Sequence, residues 1–203
     1  MKKSFAYPII FMIVISAIFT FALAFLNQST AEKIALNQEI ELYRKILYIF
    51  NIDVPSEKPE DILETFRNNI GTLPYDDTIM YVHYGDNGEI LGYAVPISGS
   101  GLWGTIEGYV GISSDYTTIL GIDFTKQSET PGLGGRISEE SFKEQFRGLD
   151  ITNVIDGNYI IYKPAPGGNV DAIAGATLTS KSVSKIINED LHSFLKERVR
   201  TDG

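Results

Sequence analysis

The hydrophobic positions at the start of the chain form one unbroken run. Ser4 to Leu26 is a stretch of 23 residues without a charged side chain, and as a helix it would extend about 35 Å, enough to cross a bilayer. Pro8 falls in the first turn, where it removes no helical hydrogen bond. The pattern predicts a transmembrane helix. The alternative is a cleaved signal peptide, because Ala22-Leu23-Ala24 has the small-x-small form of a cleavage site.

Helical spacing continues beyond the apolar run. Apolar residues recur at mostly helical intervals through a charged stretch, at Ile34, Leu36, Ile40, Leu42, Leu47 and Ile49. They predict an amphipathic helix that continues from the membrane. Pro55 and Pro59 interrupt this pattern, and Glu60 to Asn69 is predicted as a short second helix that begins with Pro59 and early acidic residues.

From Thr78 onward the pattern changes to short runs of β-branched and aromatic residues between glycine, asparagine and aspartate. Met80–Tyr84 and Glu89–Val95 flank the turn Asp86-Asn87-Gly88, which predicts a β-hairpin. A second antiparallel pair is predicted at Gly108–Ser113 and Thr117–Lys126, and a further strand at Tyr159–Lys163.

Two more helices are predicted, at Ser138–Phe146 with Ser138 as the N-cap and at Ser180–Arg198. The fold class is therefore α+β, with an antiparallel sheet packed against helices after one transmembrane helix. We expect three regions: a cytoplasmic N-terminus with its membrane anchor at 1–26, a juxtamembrane helical region at 27–72, and an extracytoplasmic domain at 73–203.

Charge separates the anchor from the rest of the chain. The whole sequence has a formal net charge of −9. Its first 26 residues hold two lysines and no acidic residue, so the remaining 177 carry 15 basic and 26 acidic side chains and a net charge of −11. Such an acidic body repels phosphate polymers, which argues against a nucleic-acid partner. Lys2 and Lys3 precede the apolar run and predict a cytoplasmic N-terminus with the body outside the cell membrane.

Several kinds of chemistry have no support in the sequence. There is no cysteine, which excludes disulfides, thiol nucleophiles and cysteine-ligated iron–sulfur clusters. His83 and His192 have no second ligand at metal-binding spacing, so no metal site is predicted, and no catalytic residue is proposed.

Three glycine-containing segments are less easily explained as ordinary structure. They are Gly99–Gly104, which holds Trp103, the only tryptophan, then Glu129–Gly135, and Asp171–Ser180. Taken singly, each has a structural explanation as a packing tryptophan, a surface loop or a helix cap.

The third segment has the features of an anion site. Small residues at 174–176 permit close approach, Thr177 and Thr179 supply hydroxyls, and the amides of a following helix N-terminus suit a phosphate. Lys181 adds a nearby cation. If the phosphate belongs to FMN, the loop Glu129–Gly135 supplies contacts to the flavin ring.

In this order, the segments resemble those of the FMN-binding domain shared by the G subunit of the Rnf complex and the C subunit of the Na+-translocating NADH:quinone oxidoreductase. The resemblance covers nearly the whole chain and includes Gly-Leu-Trp-Gly and Glu-Thr-Pro-Gly-Leu-Gly. It implies FMN held covalently by a phosphoester on Thr179, the last threonine of the family's motif, and installed by a separate flavin transferase. Ala174 stands where the family usually has serine or threonine, but the acceptor is retained.

The resemblance also implies roles for neighbouring residues. Ring or phosphate contacts are expected from Glu129, Thr130, Leu133 and Thr177, and Trp103 is expected to wall or support the pocket. Asp171 is expected to serve transferase recognition or loop bonding. The remaining cofactor-binding residues implied are Gly134, Gly175, Ala176, Leu178 and Ser180.

By this resemblance the chain is expected to be an electron-transfer subunit of a Rnf-type ferredoxin:NAD+ oxidoreductase, with other membrane subunits and iron–sulfur subunits as partners. Three alternatives remain open. They are the C subunit of the NADH:quinone oxidoreductase, a stand-alone membrane-anchored flavoprotein reductase, and a non-redox assembly module. The short chain favours the Rnf type, whereas Gly-Leu-Trp-Gly is reminiscent of the quinone-reductase protein.

Overall fold

A single long helix opens the part of the chain that the computed structural model describes, residues 6–201. Helix α1, Ala6–Ile49, has 44 residues and continues without a break past Leu26, as the spacing predicts. Within residues 6–201 it is the one helix long and apolar enough to span a membrane. Ser4 and Phe5 of the predicted span, and the lysines at 2 and 3 that predict its orientation, lie outside the described residues.

The chain divides into two compact units, the first ending at Glu41 and the second beginning at Leu42. The second unit contains the end of α1 and all the remaining elements. Helix α2, Pro59–Asn69, has Pro59 in its first turn with Glu60 and Asp61, as predicted. Its buried Ile62 and Phe66 recur at helical spacing, which explains why this short segment is helical.

Five antiparallel strands form the sheet, in the order β1-β2-β3-β4-β5. The strands are β1 Ile70–Tyr75, β2 Thr78–Tyr84, β3 Ile90–Ser100, β4 Thr105–Ser113 and β5 Ile119–Lys126. Both predicted hairpins are confirmed, but the sequence pattern does not predict β1. It is an edge strand that contains Pro74 and is exposed along much of its length, so it lacks the alternating apolar pattern that marks a strand in sequence.

One face of the sheet is covered by α4, Thr177–Thr201. The buried apolar side chains of this helix, Val183, Ile187, Leu191 and Phe194, join the main core. Gly99 in β3 permits the close approach, because a Cβ there would lie 2.5 Å from Ile186 Cγ1. The Asp190 carboxylate accepts a hydrogen bond from the Ser98 amide at 2.9 Å.

The opposite face is covered by the end of α1 and by α2. Ile46, Leu47 and Ile49 are fully buried, and Gly111 in β4 leaves room for Ile49. The Phe66 ring of α2 packs edge-on against Tyr81 of β2, with ring centroids 5.8 Å apart. The sheet therefore has an apolar layer on both faces.

The predicted helix Ser138–Phe146 is wrong in its start and its continuity. Gly134–Ser138 forms a 3-10 helix, α3 covers only Glu140–Lys143, and a second 3-10 helix covers Glu144–Phe146. Ser138 ends the first 3-10 helix and is not the N-cap, because Glu139 takes that position without a side-chain hydrogen bond. In place of the expected cap, backbone hydrogen bonds between residues three apart hold this segment, such as the bond from the Glu139 amide to Arg136 O at 3.0 Å.

The predicted strand Tyr159–Lys163 is also too long. Only β6, Tyr162–Lys163, forms, and it pairs in parallel with β7, Val170–Asp171. The amides of Tyr159 and Ile160 instead donate to Asn188 Oδ1 of α4, each at 2.8 Å. A buried side chain thus takes the hydrogen bonds that a longer strand would have used.

Candidate functional site

The three glycine-containing segments meet at one buried carboxylate, that of Glu129. Its Oε1 accepts hydrogen bonds from the amides of Leu102 at 2.8 Å and Trp103 at 3.1 Å. Its Oε2 accepts a hydrogen bond from the Thr179 hydroxyl at 2.5 Å. Glu129 is 5% exposed and Thr179 is 1% exposed. Segments separated in sequence by 27 and 50 residues therefore share one polar centre.

The first segment is the tight turn between β3 and β4. The strands pair as far as Ser100 with Thr105, and the Gly101 amide donates to Gly104 O at 2.8 Å. A Cβ on Gly101 would lie 2.5 Å from Glu129 Oε1, so this glycine admits the carboxylate. Trp103 is 69% exposed, which excludes the interpretation of a buried packing tryptophan.

The second segment is a compact loop that reverses the chain after Glu129. The amides of Leu133 and Gly135 both donate to Thr130 O, at 3.1 and 3.0 Å. A Cβ on Gly134 would lie 2.5 Å from Thr179 Oγ1 and 2.8 Å from Glu129 Oε2. A glycine at position 134 therefore lets this loop lie directly against the buried hydroxyl.

The third segment turns at Gly175, whose φ is +79°, and then enters α4. The predicted start of this helix at Ser180 is wrong by three residues, because α4 begins at Thr177. The Ser180 hydroxyl accepts a hydrogen bond from the Ile173 amide at 3.0 Å, and its own amide donates to Ala176 O at 3.0 Å. Thr179 consequently lies in the first helical turn.

The same three segments also expose large apolar side chains, which form what we call the rim of the site. Leu102, Trp103, Leu133 and Leu178 are all exposed, Leu178 to 60%. The second and third segments are close at this rim, since a Cβ on Gly175 would lie 3.3 Å from Leu133 Cδ2. These are large apolar groups on connecting segments, where polar residues are the usual choice.

The site fits the group that the sequence predicts. The amides of Thr177 to Thr179 precede the first helical hydrogen bond, made by Ser180, and such amides attract anions. The exposed rim offers flat and branched apolar surface for an aromatic ring system. The three segments therefore offer amides that suit a phosphate and apolar surface that suits an attached flavin ring.

The predicted site residues divide into three groups. Trp103, Glu129, Gly134 and Thr179 lie in or directly against the polar centre. Leu133 and Leu178 lie at the exposed rim, and Gly175 forms the turn before α4. Thr130 and Thr177 are exposed and lie one or two residues from Glu129 and Thr179 in the sequence. The buried residues Ala176 and Ser180 support the start of α4.

Two residues singled out in the sequence lie elsewhere. The exposed Asp171 carboxylate pairs with Lys163 at 3.5 Å, and the Asp171 amide donates to Gln145 Oε1 at 2.8 Å. Lys181 lines a groove of about 800 Å³ between α4 and residues 157–165. Tyr162 also lines that groove, and burial raises the pKa of its hydroxyl. The predicted cofactor-binding residues all lie outside it.

Two contributors to the polar centre are not predicted from the sequence. Gln127 Oε1 accepts a hydrogen bond from the Glu129 amide at 2.7 Å, and the Leu102 amide donates to the carboxylate. Backbone amides carry no signature in the side-chain pattern. In the sequence, Leu102 is marked only by its position beside Trp103 between two glycines.

Comparison with known proteins places these segments within one family region. A sequence profile described as the FMN-binding domain matches residues 101–192, which include Trp103, Glu129 and Thr179. The crystal structure of the C subunit of the Na+-translocating NADH-quinone reductase from Parabacteroides distasonis superposes with a TM-score of 0.65. That superposition covers 80% of this chain and 93% of the other at 26% identity, and it confirms the predicted fold class.

Two sequence relatives differ in how much of their length this chain covers. The G subunit of the ion-translocating oxidoreductase complex of Methanosarcina acetivorans is 32% identical over 190 residues, 90% of this chain and 90% of that protein. The C subunit of the Na+-translocating NADH-quinone reductase of Neisseria meningitidis is 36% identical over 131 residues, 62% of this chain. This chain spans about half of the Neisseria protein, since the match covers 48% of it.

Proposed function

The chain belongs to the FMN-binding domain family, and on that basis we propose that it is a membrane-anchored electron-transfer subunit of a Rnf-type ion-translocating oxidoreductase complex. The observation that carries the proposal is the meeting of three family segments at Glu129 and Thr179. The match to the Methanosarcina protein along 90% of both chains supports the Rnf type. The coverage of only 48% of the Neisseria quinone-reductase protein makes that assignment the second candidate.

The chain's own residues would bind and orient FMN. The amides and hydroxyl at the start of α4 would hold its phosphate, and Leu102, Trp103, Leu133 and Leu178 would pack around its ring. Bound FMN supplies the electron-transfer chemistry. The protein's contribution is to position the ring and exclude water from its edge.

The proposed link is covalent, a phosphoester between FMN and the Thr179 hydroxyl that a separate flavin transferase installs. Thr179 is supported as the acceptor by its place in the first turn of α4 and by the hydrogen bond that fixes its hydroxyl. Thr177, two residues earlier, is exposed and serves as an internal comparison.

Coexpression with a flavin transferase tests this link. We expect the full-length chain to stay fluorescent in a denaturing gel and to gain the mass of FMN less one water. Thr179→Ala should abolish both signals because no hydroxyl remains at position 179, whereas Thr177→Ala should keep them. A fluorescent Thr179→Ala protein would assign the link to another residue.

The proposed partners are polytopic membrane subunits and iron–sulfur subunits, with ferredoxin:NAD+ oxidoreduction as the activity of the whole complex. Purification of the tagged chain in mild detergent from its natural host tests this assignment. We expect proteins with several membrane spans and with iron–sulfur absorbance to copurify. A fully flavinylated chain that is always recovered alone would favour a stand-alone reductase.

A further inference from the structure

We propose that Glu129 accepts the proton of the Thr179 hydroxyl when FMN is joined to it. The modified protein would then supply the base for its own modification, and the transferase would supply the flavin donor. This inference rests on the covalent link proposed above. It assigns Glu129 a role in forming the link, beyond contact with the bound cofactor.

The contact between the two side chains is short and shielded from water. Glu129 Oε2 lies 2.5 Å from Thr179 Oγ1, within the range expected for a hydroxyl that donates to a carboxylate. Both residues are buried. A proton acceptor must be within hydrogen-bond reach of the proton that it takes, and Glu129 already meets this requirement before any donor binds.

The other carboxylate oxygen fixes the direction of this contact. Glu129 Oε1 accepts from the amides of Leu102 and Trp103, and both of those groups are donors only. Both amide bonds are taken by Oε1, which leaves Oε2 to the Thr179 hydroxyl. The bond of the Glu129 amide to Gln127 holds the backbone of the same residue.

The step balances without any change of oxidation state. The Thr179 Oγ–H bond breaks and its proton passes to Glu129 Oε2, while Oγ forms an O–P bond to the FMN phosphorus. The donor is a flavin nucleotide that carries this phosphorus in a phosphoanhydride. The anhydride P–O bond breaks, and the leaving phosphate group departs with the electron pair.

Thr179 has to become accessible for this step. The loop Thr130–Gly135 lies against its hydroxyl at Gly134, so this loop must move aside to admit the phosphorus. The Oε1 contacts of Glu129 are made to the turn between β3 and β4, not to that loop. The carboxylate therefore keeps its anchorage while the loop opens.

Initial rates of covalent FMN incorporation into the full-length chain, followed by mass spectrometry with purified transferase and FAD, test the inference. Glu129→Gln keeps an oxygen for the two amides and a donor toward Thr179, but it is a very poor proton acceptor. We expect it to lower the rate about 100-fold or more. Glu129→Asp should restore part of the loss, and Glu140→Gln, on the exposed start of α3, should match the wild type.

The pH profile separates proton transfer from a merely structural role. The ratio of wild-type to Glu129→Gln rates at each pH cancels the transferase's own pH dependence. We expect this ratio to change with pH, because only the wild type carries an ionisable group at position 129, while thermal unfolding of the two proteins stays similar. A ratio that is constant with pH, or Glu129→Gln incorporation within threefold of the wild type, would overturn the inference.

These outcomes are distinct from failure of the proposed link. If the wild type gains no covalent FMN, or gains it at a residue other than Thr179, the link itself is wrong. If the wild type is modified at Thr179 and Glu129→Gln is modified equally fast, only the role of Glu129 is wrong.

Discussion

Glu129 lies in a glycine-rich loop, where a charged side chain would ordinarily point into solvent. Acidic residues are rarely buried unless their oxygens are paired, and here two amides and one hydroxyl pair them. The glycines at 101 and 134 create the space, because a Cβ at either position would reach the Glu129 oxygens. The burial of this carboxylate thus depends on the absence of side chains at positions 101 and 134.

A methyl group at position 134 should disturb the polar centre directly. In Gly134→Ala the new Cβ would lie 2.5 Å from Thr179 Oγ1, so the hydroxyl must turn or the loop must shift. We expect destabilisation of about 1–3 kcal/mol in urea unfolding and slower incorporation of FMN.

Gly132→Ala is the matched control for that variant. It lies in the same loop with φ at +73°, but no atom of the described residues lies within 4 Å of the added Cβ. It should be destabilised by about 1–2 kcal/mol through backbone strain, while FMN incorporation stays near the wild-type rate. Equal loss of incorporation in both variants would show that loop stability, not contact with Thr179, limits the reaction.

The residues of this site are easier to predict from sequence than their arrangement. Trp103, Glu129 and Thr179 all stand out, because the glycine and hydroxyl patterns around them are unusual. The burial of Glu129 has no such signal, since its three partners come from distant parts of the chain or from the backbone. Contacts of that kind follow from the packing of the strands and α4, not from local spacing.

Among the elements, the end of α1 contacts the sheet through buried apolar side chains and also through hydrogen bonds from Arg147. Its guanidinium donates to the carbonyls of Tyr48 at 3.0 Å and Ile49 at 3.1 Å, and also to the Leu120 carbonyl in β5. Hydrogen bonds from Arg147 and Tyr48 lower the pKa of Glu144, which completes the cluster. One side chain therefore satisfies backbone groups at the end of a helix and in an edge strand.

Arg147→Met should destabilise the chain through these carbonyls. It removes the guanidinium donor from three backbone carbonyls, of which Tyr48 O keeps the Asn51 amide. We expect a loss of about 2–4 kcal/mol in urea unfolding monitored by tryptophan fluorescence. Arg136→Met removes an exposed ion pair with Glu139 and should cost less than about 1 kcal/mol. Similar losses for the two variants would mean that water readily replaces the guanidinium of Arg147.

Helix α4 carries a carboxylate whose charge is unfavourable in the fold. Burial raises the pKa of Asp190 above its ordinary value, although its hydrogen bond from Ser98 opposes the shift. The folded chain therefore binds this proton at a higher pH than the unfolded chain does. Charged Asp190 costs stability at neutral pH, and the cost disappears as the pH falls through the folded-state pKa.

Asp190→Asn should accordingly raise the melting temperature at pH 7, by about 1–4 °C in a chain of this size. The advantage should shrink at acidic pH, because wild-type Asp190 is then neutral as well. Asp77→Asn makes the same charge change at an exposed turn and should not show this pH-dependent difference. A lower melting temperature for Asp190→Asn at pH 7 would show that the charged bond to Ser98 outweighs burial.

The predicted elements are correct where local patterns determine structure. The hairpin around Asp86-Asn87-Gly88 has a turn with Gly88 at φ +80° and strands rich in β-branched residues. The predicted starts of α3 and α4 are wrong because serine hydroxyls at 138 and 180 resemble helix caps. In the fold one ends a 3-10 helix, and the other bonds back to Ile173.

At the scale of the whole molecule, the acidic body and the uncharged anchor predict different environments. We expect the body to face the outside of the cell membrane, as the lysines before the apolar run suggest. Protease added to spheroplasts should remove a C-terminal tag and spare an N-terminal one, and inverted vesicles should give the opposite result. A full-length chain of 22.5 kDa in the membrane fraction should also exclude signal cleavage. Protection of the C-terminal tag in spheroplasts would reverse the topology.

The shared carboxylate also bears on how this site can change in evolution. Gly101, Glu129, Gly134 and Thr179 are fitted to one another within a few ångströms, so replacing any one of them leaves the other three badly matched. Single substitutions at these positions should be rare among relatives that keep the cofactor. Where the acceptor threonine has been lost, the two glycines and the glutamate should no longer be constrained and should be substituted more often. An alignment that includes such relatives should therefore show all four positions varying together.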